Sequence, residues 1–308
     1  MESRLIRYLR GRLGPHPLVR LGAGDDAAVL SMAGTSECAI TVDMLTDQVD
    51  FRLSETEPRR IGRKALAVNL SDLAAMAAEP LAGVVALALP RSRGMELAIG
   101  LYEGLLPLAE RYQLAIAGGD TNSWDGPLVL SVTLVGRVGA RGPLVRSGAR
   151  PGDRILVTGQ FGGSILGRHF DFEPRVAEAL LLHERYELHA GIDVSDGLSI
   201  DLAHMVEESG CGAVVRTDAV PISEAAHALA ARTPGGPTPL DHALSDGEDF
   251  ELVLAVPPAE AERILADQPL EVPIVEIGEF VRQPGIWQAN GRGEKSPLAP
   301  RGYEHEFD

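Results

Sequence analysis

Apolar runs of strand length alternate with helical segments along this chain, and no other feature limits its fold as strongly. In the first half, strands are predicted over "AAVLSM", "ECAITVDML", "GVVALALP" (fully buried), "LAIAGGD" and "LVLSVTLVGRV". Between them one helix is predicted from Pro58 to Pro80, and another over "GMELAIGLYEGLLPLAERYQ", interrupted at its proline. In the second half, helical segments separate the predicted strands "RILVTG", "GIDVS", "GAVVRT", "FELVLAV" and "IVEIGEF". This alternation predicts an α/β fold.

A stretch rich in glycine, proline and arginine, "GARGPLVRSGARPGD", separates the two halves between Gly139 and Asp153. A chain of 308 residues is long enough for about two domains. We therefore predict an N-terminal α/β domain over residues 1–140 and a C-terminal α/β domain over residues 150–308.

The charge balance limits the partners of the chain. Its 44 acidic residues outnumber 28 basic ones and give a formal net charge of −16, which disfavours nucleic acid and anionic membranes. No apolar run is long enough to span a bilayer, and the start, "MESRLIRYLRGRLG", has helical spacing but no apolar signal core. Two cysteines without a CxxC motif fit a reducing compartment. We expect a soluble, cytoplasmic protein.

Aspartates stand at the ends of two predicted strands in the first half. Asp43 ends "CAITVD", and Asp120 ends "LAIAGGD". Beside the second aspartate, Gly118 and Gly119 would let a ligand approach the backbone closely. Each aspartate alone could be an ordinary turn residue.

Other aspartates lie in comparably apolar surroundings. Asp72 belongs to a helix that is apolar almost all round, where it shares a face with Asn69. Asp193 and Asp196 stand in "GIDVSDGL", where a strand passes into a helix. Several carboxylates gathered at strand ends would repel one another unless a cation held them, and oxygen ligands without His or Cys select Mg²⁺ or a similar hard ion. The set predicts a magnesium site.

The stretch "LGAGDDAAVL" places two carboxylates, Asp25 and Asp26, directly after a glycine turn. It fits the G-x-G-x-x-A dinucleotide pattern, but its carboxylates would face a pyrophosphate and two strands follow it instead of a helix. An exposed turn and half of a cation site therefore remain as its two interpretations.

Two features could bind phosphate. The turn "GQFGGSILG", Gly159 to Gly167, would offer backbone N–H groups at the start of a helix, although plain strand-to-helix turns look the same. Arg146, between the two predicted domains, could clamp a phosphate across the gap between them, or could equally be exposed to solvent.

With these motifs assembled, the chain resembles the thiamine-monophosphate kinase family, within the aminoimidazole ribonucleotide synthetase superfamily. The resemblance runs over nearly the whole chain, in order, through "GAGDDAAVL", "TVDML…DF", "KALAVNLSDLAAM", "AGGDT", "LVRSGARPGD", "GIDVSDGLSIDL", "SDGEDFEL" and "GYEHEF". It implies a two-domain fold of this superfamily, of mixed α/β (α+β) class, whose N-terminal domain forms a β-barrel across a homodimer. It also implies an ATP site between the domains.

The resemblance also implies a role for individual residues. The magnesium ligands would be Asp26, Thr41, Val42 (through its main chain), Asp43, Asp72, Asp120, Asp193 and Asp196. The ATP contacts would be Tyr102, Gly119, Asp120, Arg146 and Ser195. The substrate contacts would be Asp50, Glu248 and Tyr303.

Two positions depart from the family pattern. Asp50 stands where the family usually has a histidine, and Asp246 replaces a glycine. A carboxylate at position 50 would repel a phosphate, but would be tolerated beside a cationic thiazolium ring or a metal.

The implied reaction is transfer of a phosphoryl group from ATP to thiamine monophosphate, giving thiamine diphosphate and ADP, with several Mg²⁺ ions neutralising the phosphates. In this interpretation Asp26 is a cation ligand and Asp25 shapes the turn. Three alternatives stay open. These are another ATP-dependent synthetase of the same superfamily, a non-catalytic Mg²⁺/nucleotide-binding regulator, and a divalent-metal hydrolase that uses no ATP.

Overall fold

The computed structural model describes residues 18–21, 25–31 and 37–304, which form two mixed α/β domains. The stretch "MESRLIRYLRGRLG", whose spacing is helical, lies outside the described residues, and so do the last four residues of the chain.

The first domain is a six-stranded sheet with two long helices on one face. Its strands follow the spatial order β1-β2-β3-β6-β4-β5, antiparallel except for the parallel pair β4–β5. The strands are β1 (Val19–Leu21), β2 (Ala28–Leu30), β3 (Cys38–Thr46), β4 (Ala78–Pro90), β5 (Ala115–Trp124) and β6 (Val129–Val138), and the helices are α1 (Pro58–Ala75) and α2 (Gly94–Arg111).

Helix α1 is the buried centre of the structure. It begins with Pro58, whose fixed φ suits the first helical position, and most of its later residues are buried. It packs on α2 and the first sheet on one side, and on elements of the second domain on the other. Glycines bring α1 and α2 together, because a Cβ at Gly104 would lie 1.7 Å from the carbonyl oxygen of Arg59.

The second face of the first sheet is open. Val42 and Met44 on β3 are 61% and 64% exposed, and Val84 on β4 and Trp124 on β5 are 45% and 42% exposed. Within one chain the described strands therefore form an open sheet, and the β-barrel across a homodimer stays a prediction.

The second domain is a seven-stranded sheet of order β13-β12-β9-β11-β7-β10-β8, antiparallel except for the parallel pair β12–β9. A second apolar core packs against it. Its strands are β7 (Arg154–Thr158), β8 (Ala190–Asp193), β9 (Gly212–Arg216), β10 (Leu252–Val256), β11 (Ile274–Val281), β12 (Gly285–Ala289) and β13 (Lys295–Pro297). Its helices are α3 (Arg168–Asp171), α4 (Val176–Arg185), α5 (Leu198–Ser209), α6 (Glu224–Arg232), α7 (Pro239–Ser245) and α8 (Pro258–Asp267), with a 3₁₀ turn at Ser164–Leu166.

Four local predictions in the first domain are wrong. Helix α1 ends at Ala75, and Pro80, predicted to close it, lies in β4. That strand alternates buried and exposed side chains instead of being buried throughout. Helix α2 continues through Pro107, which is on its exposed side, where water can solvate the freed carbonyl group. Strand β5 extends to Trp124, so Asp120 lies within it and not at its end.

No helix in the described ranges has both the length and the apolar character needed to cross a membrane. Cys38 and Cys211 do not form a disulfide bond with each other.

Candidate functional site

Three aspartates from distant parts of the chain converge where the two domains meet. Asp26 precedes β2, Asp72 lies in the last turns of α1, and Asp193 ends β8. Each offers a carboxylate oxygen, and these oxygens lie within 4.8 Å of one another. The positions of these residues along the chain do not show that they are in contact, but all three belong to the predicted magnesium ligands.

Hydroxyl groups and an arginine orient the three carboxylates. Thr41 on β3 donates a hydrogen bond to Asp72 Oδ2, and Ser71 donates to Asp193 Oδ2 at 2.5 Å. Arg146 donates twice to Asp26, from Nη2 at 2.6 Å and from Nε at 3.2 Å. These donors fix the carboxylates without neutralising more than one of them.

Asp43 is the fourth member of this acidic cluster. Burial raises its pKa to about 6; a hydrogen bond with Asp72 partly offsets this effect, while the nearby charges of Asp50 and Asp196 add to it. Its Oδ2 atom is buried and has no hydrogen-bond partner among the described residues. A buried carboxylate oxygen without a donor is costly, and a bound cation would satisfy it.

The other two buried carboxylates carry the same signature. Burial raises the pKa of Asp72 well above its usual value, and the charges of Asp43, Asp193 and Asp26 raise it further. Burial and the charge of Asp26 likewise raise the pKa of Asp193. The donor set consists of oxygens only, which fits Mg²⁺ or another hard divalent cation. The residues present therefore fit the predicted metal.

Arg146 joins the segment between the domains to the turn that carries Asp25 and Asp26. Its main-chain N–H donates to both carboxylate oxygens of Asp25, at 3.1 and 3.3 Å, while its side chain holds Asp26. Burial raises the pKa of Asp25 to about 7, with the charge of Asp26 adding to the shift. The carboxylate of Asp25 thus accepts from the main chain of Arg146 and of Asp26, and its role in shaping the glycine turn stays a prediction.

The loop that follows β8 holds the next group of predicted residues. The carboxylate of Asp201 accepts hydrogen bonds from the backbone N–H groups of Asp196 and Gly197, both at 3.0 Å. The backbone N–H of Tyr303 donates to the carbonyl oxygen of Asp196 at 3.0 Å. The backbone N–H of Glu248 donates to the carbonyl oxygen of Ser195 at 2.7 Å. The structure therefore brings the predicted residues Ser195, Asp196, Glu248 and Tyr303 together.

Lys64 connects the two predicted substrate residues Asp50 and Glu248. Its Nζ donates to the carbonyl oxygen of Asp50 at 2.9 Å and forms an ion pair with Glu248. The carboxylate of Asp50 instead accepts from the backbone N–H of Thr46 at 2.7 Å, within its own loop. Asp50 therefore contributes a carbonyl oxygen toward the site and uses a side-chain oxygen to brace the turn.

Two predicted residues, Gly119 and Asp120, lie apart from the acidic cluster within one chain. Gly119 on β5 lies opposite Asp43 on β3 in the first sheet, with β4 and β6 between them. Three strand-to-strand steps of roughly 4.8 Å separate the two residues by about 14 Å. Asp120 is exposed and pairs with Ala86, on the open face of the sheet. Tyr102 is half-buried on α2, and the side chain of Val42 lies on the open face.

The glycine-rich turn from Gly159 to Gly167 is not an open phosphate cradle. The backbone N–H of Gly162 donates to Asp249 and that of Gly163 donates to Asp246, each at 2.8 Å. The helix that follows is a single 3₁₀ turn. Carboxylates already occupy the donors that a phosphate would need, so this hypothesis is wrong.

Sequence reasoning missed several residues that the site uses. They are Lys64, Ser71, His169 and Asp201. A lysine inside an apolar helix and a serine beside Asp72 were visible signals in "RKALAVNLSDLA". His169 and Asp201 gave no such signal, because only the tertiary fold places them.

Two family profiles cover most of the chain. The profile described as AIR synthase related protein, N-terminal domain, matches residues 24–138. The profile described as AIR synthase related protein, C-terminal domain, matches residues 150–286.

Individual proteins match over nearly the full length. Thiamine-monophosphate kinase of Rhodopirellula baltica is 45% identical over 99% of this chain and 97% of its own length. The protein of that name from Escherichia coli K12 is 35% identical over 93% of this chain and 92% of its own. A solved structure described as AaThiL complexed with AMPPCP and TMP superposes with a TM-score of 0.84. It is 25% identical and covers 99% of this chain and 97% of its own.

Proposed function

The chain belongs to the thiamine-monophosphate kinase family, and we propose that it transfers the γ-phosphoryl group of ATP to thiamine monophosphate, giving thiamine diphosphate and ADP. The observation that carries this proposal is the buried cluster of Asp26, Asp72 and Asp193 at the domain junction. Full-length similarity to named kinases supports the choice of acceptor.

The proposed magnesium ligands are the side chains gathered around that cluster, Asp26, Thr41, Asp43, Asp72, Asp193 and Asp196. The main chain of Val42 lies between two of them and could contribute its carbonyl oxygen. Bound there, Mg²⁺ would neutralise the phosphates of donor and acceptor and align them for in-line transfer.

The reaction needs little acid–base help from the protein. The second pKa of a phosphate monoester is about 6, so the attacking oxygen of the acceptor is already ionised at neutral pH. Repulsion between two polyanions is the obstacle, and the chain offers Arg146 against it. Burial would lower the pKa of this guanidinium, but the carboxylates of Asp26 and Asp25 outweigh burial and raise it, so Arg146 stays charged. We assign its charge to the ATP phosphates, together with the backbone around Ser195.

A second copy of the chain is the proposed occupant of the open sheet face. Apolar residues of β3, β4 and β5 are exposed there, which is costly in water. Two such faces closing on one another would give the β-barrel that the family resemblance implies.

The homodimer would also complete the site. Gly119 and its neighbour Asp120 are three strands away from Asp43 in the same sheet, about 14 Å at roughly 4.8 Å per step, and Asp120 lies on the open face. We propose that the ATP and magnesium contacts of Tyr102, Gly119 and Asp120 are made in the site of the opposite protomer. The cytoplasm stays the predicted compartment, in keeping with two cysteines that form no disulfide bond with each other.

The test is a product assay with purified protein, Mg-ATP and thiamine monophosphate. We expect thiamine diphosphate and ADP in equal amounts, and a loss on the order of 100-fold in kcat for Asp43→Asn. Nucleotide binding without thiamine diphosphate would contradict the kinase and favour the regulatory alternative. Turnover with another acceptor only would favour a different synthetase of the superfamily.

A further inference from the structure

A buried ionic trio lies beside the acidic cluster and is formed by Lys64, His169 and Glu248. Lys64 is fully buried in α1, and its Nζ contacts the carbonyl oxygen of Asp50 at 2.9 Å, His169 Nδ1 at 3.1 Å and the carboxylate of Glu248. A buried ammonium group is tolerated only when its donors are satisfied. Two of these neighbours are acceptors, the carbonyl oxygen of Asp50 and the carboxylate of Glu248, and together they fix the ammonium group beside Glu248.

Two arginines of α1, the helix that also carries Lys64, hold the segment around His169 in place. Arg60 donates to the carbonyl oxygen of Gly167 at 3.2 Å, and Arg63 donates to those of Phe170 at 3.0 Å and Phe172 at 2.6 Å. These bonds fix the segment on both sides of His169, which is itself only 5% exposed. Its Nδ1 lies 3.0 Å from Glu248 Oε2. A carboxylate only accepts, so in this contact Nδ1 carries the proton and donates to Glu248. The 3.1 Å approach of Lys64 Nζ to the same nitrogen is then a close contact and not a hydrogen bond.

Glu248 occupies a strained backbone conformation. Its φ is +63° and that of Phe250 is +52°, in the left-handed region that non-glycine residues rarely adopt. Backbone bonds from Glu248 to Ser195 and from Phe250 to Val194, both 2.7 Å, clamp this segment onto the loop that follows Asp193. Strain held in this way is typical of functional positions.

We infer that Lys64 and His169 are positioning residues that hold Glu248 as an oriented, ionised carboxylate, and that this carboxylate selects an acceptor carrying a positively charged ring. The inference rests on the proposed function, in which the acceptor contains a thiazolium ion. Each oxygen of Glu248 is fixed by one neighbour and keeps a second lone pair. The side chain is 33% exposed, so a ligand can reach it.

The electrostatics agree with this assignment. Burial would raise the pKa of Glu248, but the hydrogen bond from His169 and the charge of Lys64 outweigh burial and lower it. The pKa values of Asp43, Asp72 and Asp193 in the neighbouring cluster are raised, whereas the partners of Glu248 lower its pKa and keep it charged. A fixed negative charge attracts a thiazolium ring and gains nothing from a neutral thiazole.

The experiment compares the equilibrium binding of two probes, measured without ATP. One probe is thiamine monophosphate, and the other is the phosphate ester of hydroxyethylthiazole, whose ring is neutral. We test His169→Gln and the double variant Lys64→Met/Glu248→Gln, which removes both charges together and so avoids an unpaired buried ion. His227→Gln, an exposed histidine of α6, is the matched control.

We expect both site variants to bind thiamine monophosphate about tenfold more weakly, because a charge-assisted contact is worth roughly 1.5 kcal/mol or more. Binding of the neutral ester should change less than about twofold, and the control should bind like the wild type. Unchanged preference for the cationic probe in either site variant would overturn the inference. An equal loss for both probes would also overturn it, since that is the mark of a merely structural role.

This readout is separate from the proposed function. If the wild type binds thiamine monophosphate but forms no thiamine diphosphate with Mg-ATP, the proposed kinase fails and the binding comparison still decides the role of the trio.

Discussion

Asp43 has a buried carboxylate oxygen with no hydrogen-bond donor among the described residues, and this atom is the most direct sign of a cation site at the scale of residues. Its pKa of about 6 means that the metal-free folded protein keeps a proton that the unfolded chain, with an ordinary value of 3.8, has lost. The folded state then binds more protons between about pH 4 and pH 6. The stability contributed by this group therefore falls as the pH rises through that window.

Magnesium should reverse this trend, because it binds the ionised carboxylates. We predict that the rise in Tm caused by Mg²⁺ is small at pH 5 and grows toward pH 8, measured by thermal unfolding with and without the metal. Asp43→Asn should show a much smaller rise at every pH. A Tm shift that is the same at pH 5 and pH 8 in the wild type would contradict the account.

Asp249 offers a second titration away from the proposed metal ligands. Burial raises its pKa to about 7, partly offset by hydrogen bonds from Ser164 and the Gly162 N–H. The same sign argument makes its contribution to stability fall between about pH 4 and pH 7. We predict that Asp249→Asn, which cannot titrate, flattens this part of the curve of unfolding free energy against pH in denaturant titrations. A curve parallel to that of the wild type would refute the assignment.

At the scale of residues, the sequence predicted which side chains form the site better than it predicted which of them contact one another. Asp26, Asp72 and Asp193 could be singled out because carboxylates in apolar elements are costly without a partner. His169 could not be, since its partner Glu248 is far along the chain and only the fold brings them together. The role of Asp50 was equally hidden, because a main-chain carbonyl carries no sequence signature.

At the scale of elements, the packing of α1 on α2 decides where Lys64 and Asp72 point. A Cβ at Gly104 would lie 1.7 Å from a backbone oxygen of α1, so a side chain there would force the helices apart. We predict that Gly104→Ala lowers the free energy of unfolding by about 3 kcal/mol or more, measured by denaturant titration. Gly94→Ala is the control; its Cβ would make only an ordinary contact, at 3.5 Å from Leu89, and should be neutral or slightly stabilising. Equal effects of the two substitutions would contradict this packing.

The spacing of apolar residues predicted which segments are helices and which are strands, but it did not predict where those helices and strands end. Pro80 looks like a helix stop, yet it lies in β4, five residues after the helix has ended. The strand accommodates it because the register with β6 is irregular after Pro80 and pairing with β5 begins only at Ala82. Asp120 looks like a strand end because glycines precede it, but pairing with β4 extends β5 beyond it. In both cases sheet pairing, which is non-local, overrode the local signal.

At the scale of the molecule, we predict that two chains assemble and that each site takes Asp43 from one chain and Asp120 from the other. Asp43→Asn and Asp120→Asn chains should each lose kcat on the order of 100-fold as pure proteins. Co-folded mixtures should regain activity, because a mixed dimer has one site that carries both changes and one that carries neither. The product assay on a mixed dimer purified with two different tags measures this.

A mixture no more active than its components would place both aspartates in the same chain's site and contradict the composite arrangement. A matched mixture of Asp43→Asn with Asp72→Asn chains is the control and should stay inactive, since those residues share one cluster within a chain.

The two-domain α/β architecture could be predicted from the alternation of elements, because both halves contain strands and helices with apolar faces. The continuity of the larger apolar core across both halves, for example from Leu134 to Leu254, could not be predicted, because only the tertiary fold brings those residues together. The barrel could not be tested within one chain. The first sheet covers only one face with α1 and α2, and whatever closes the other face comes from outside the described residues.

The most direct test is a crystal of the protein with Mn²⁺ in place of Mg²⁺, a non-hydrolysable ATP analogue and thiamine monophosphate, measured for anomalous scattering. We predict manganese peaks about 2.2 Å from carboxylate oxygens of Asp26, Asp43, Asp72 and Asp193, lying between the two phosphate chains. Both substrates bound with no anomalous peak among these carboxylates would contradict the account.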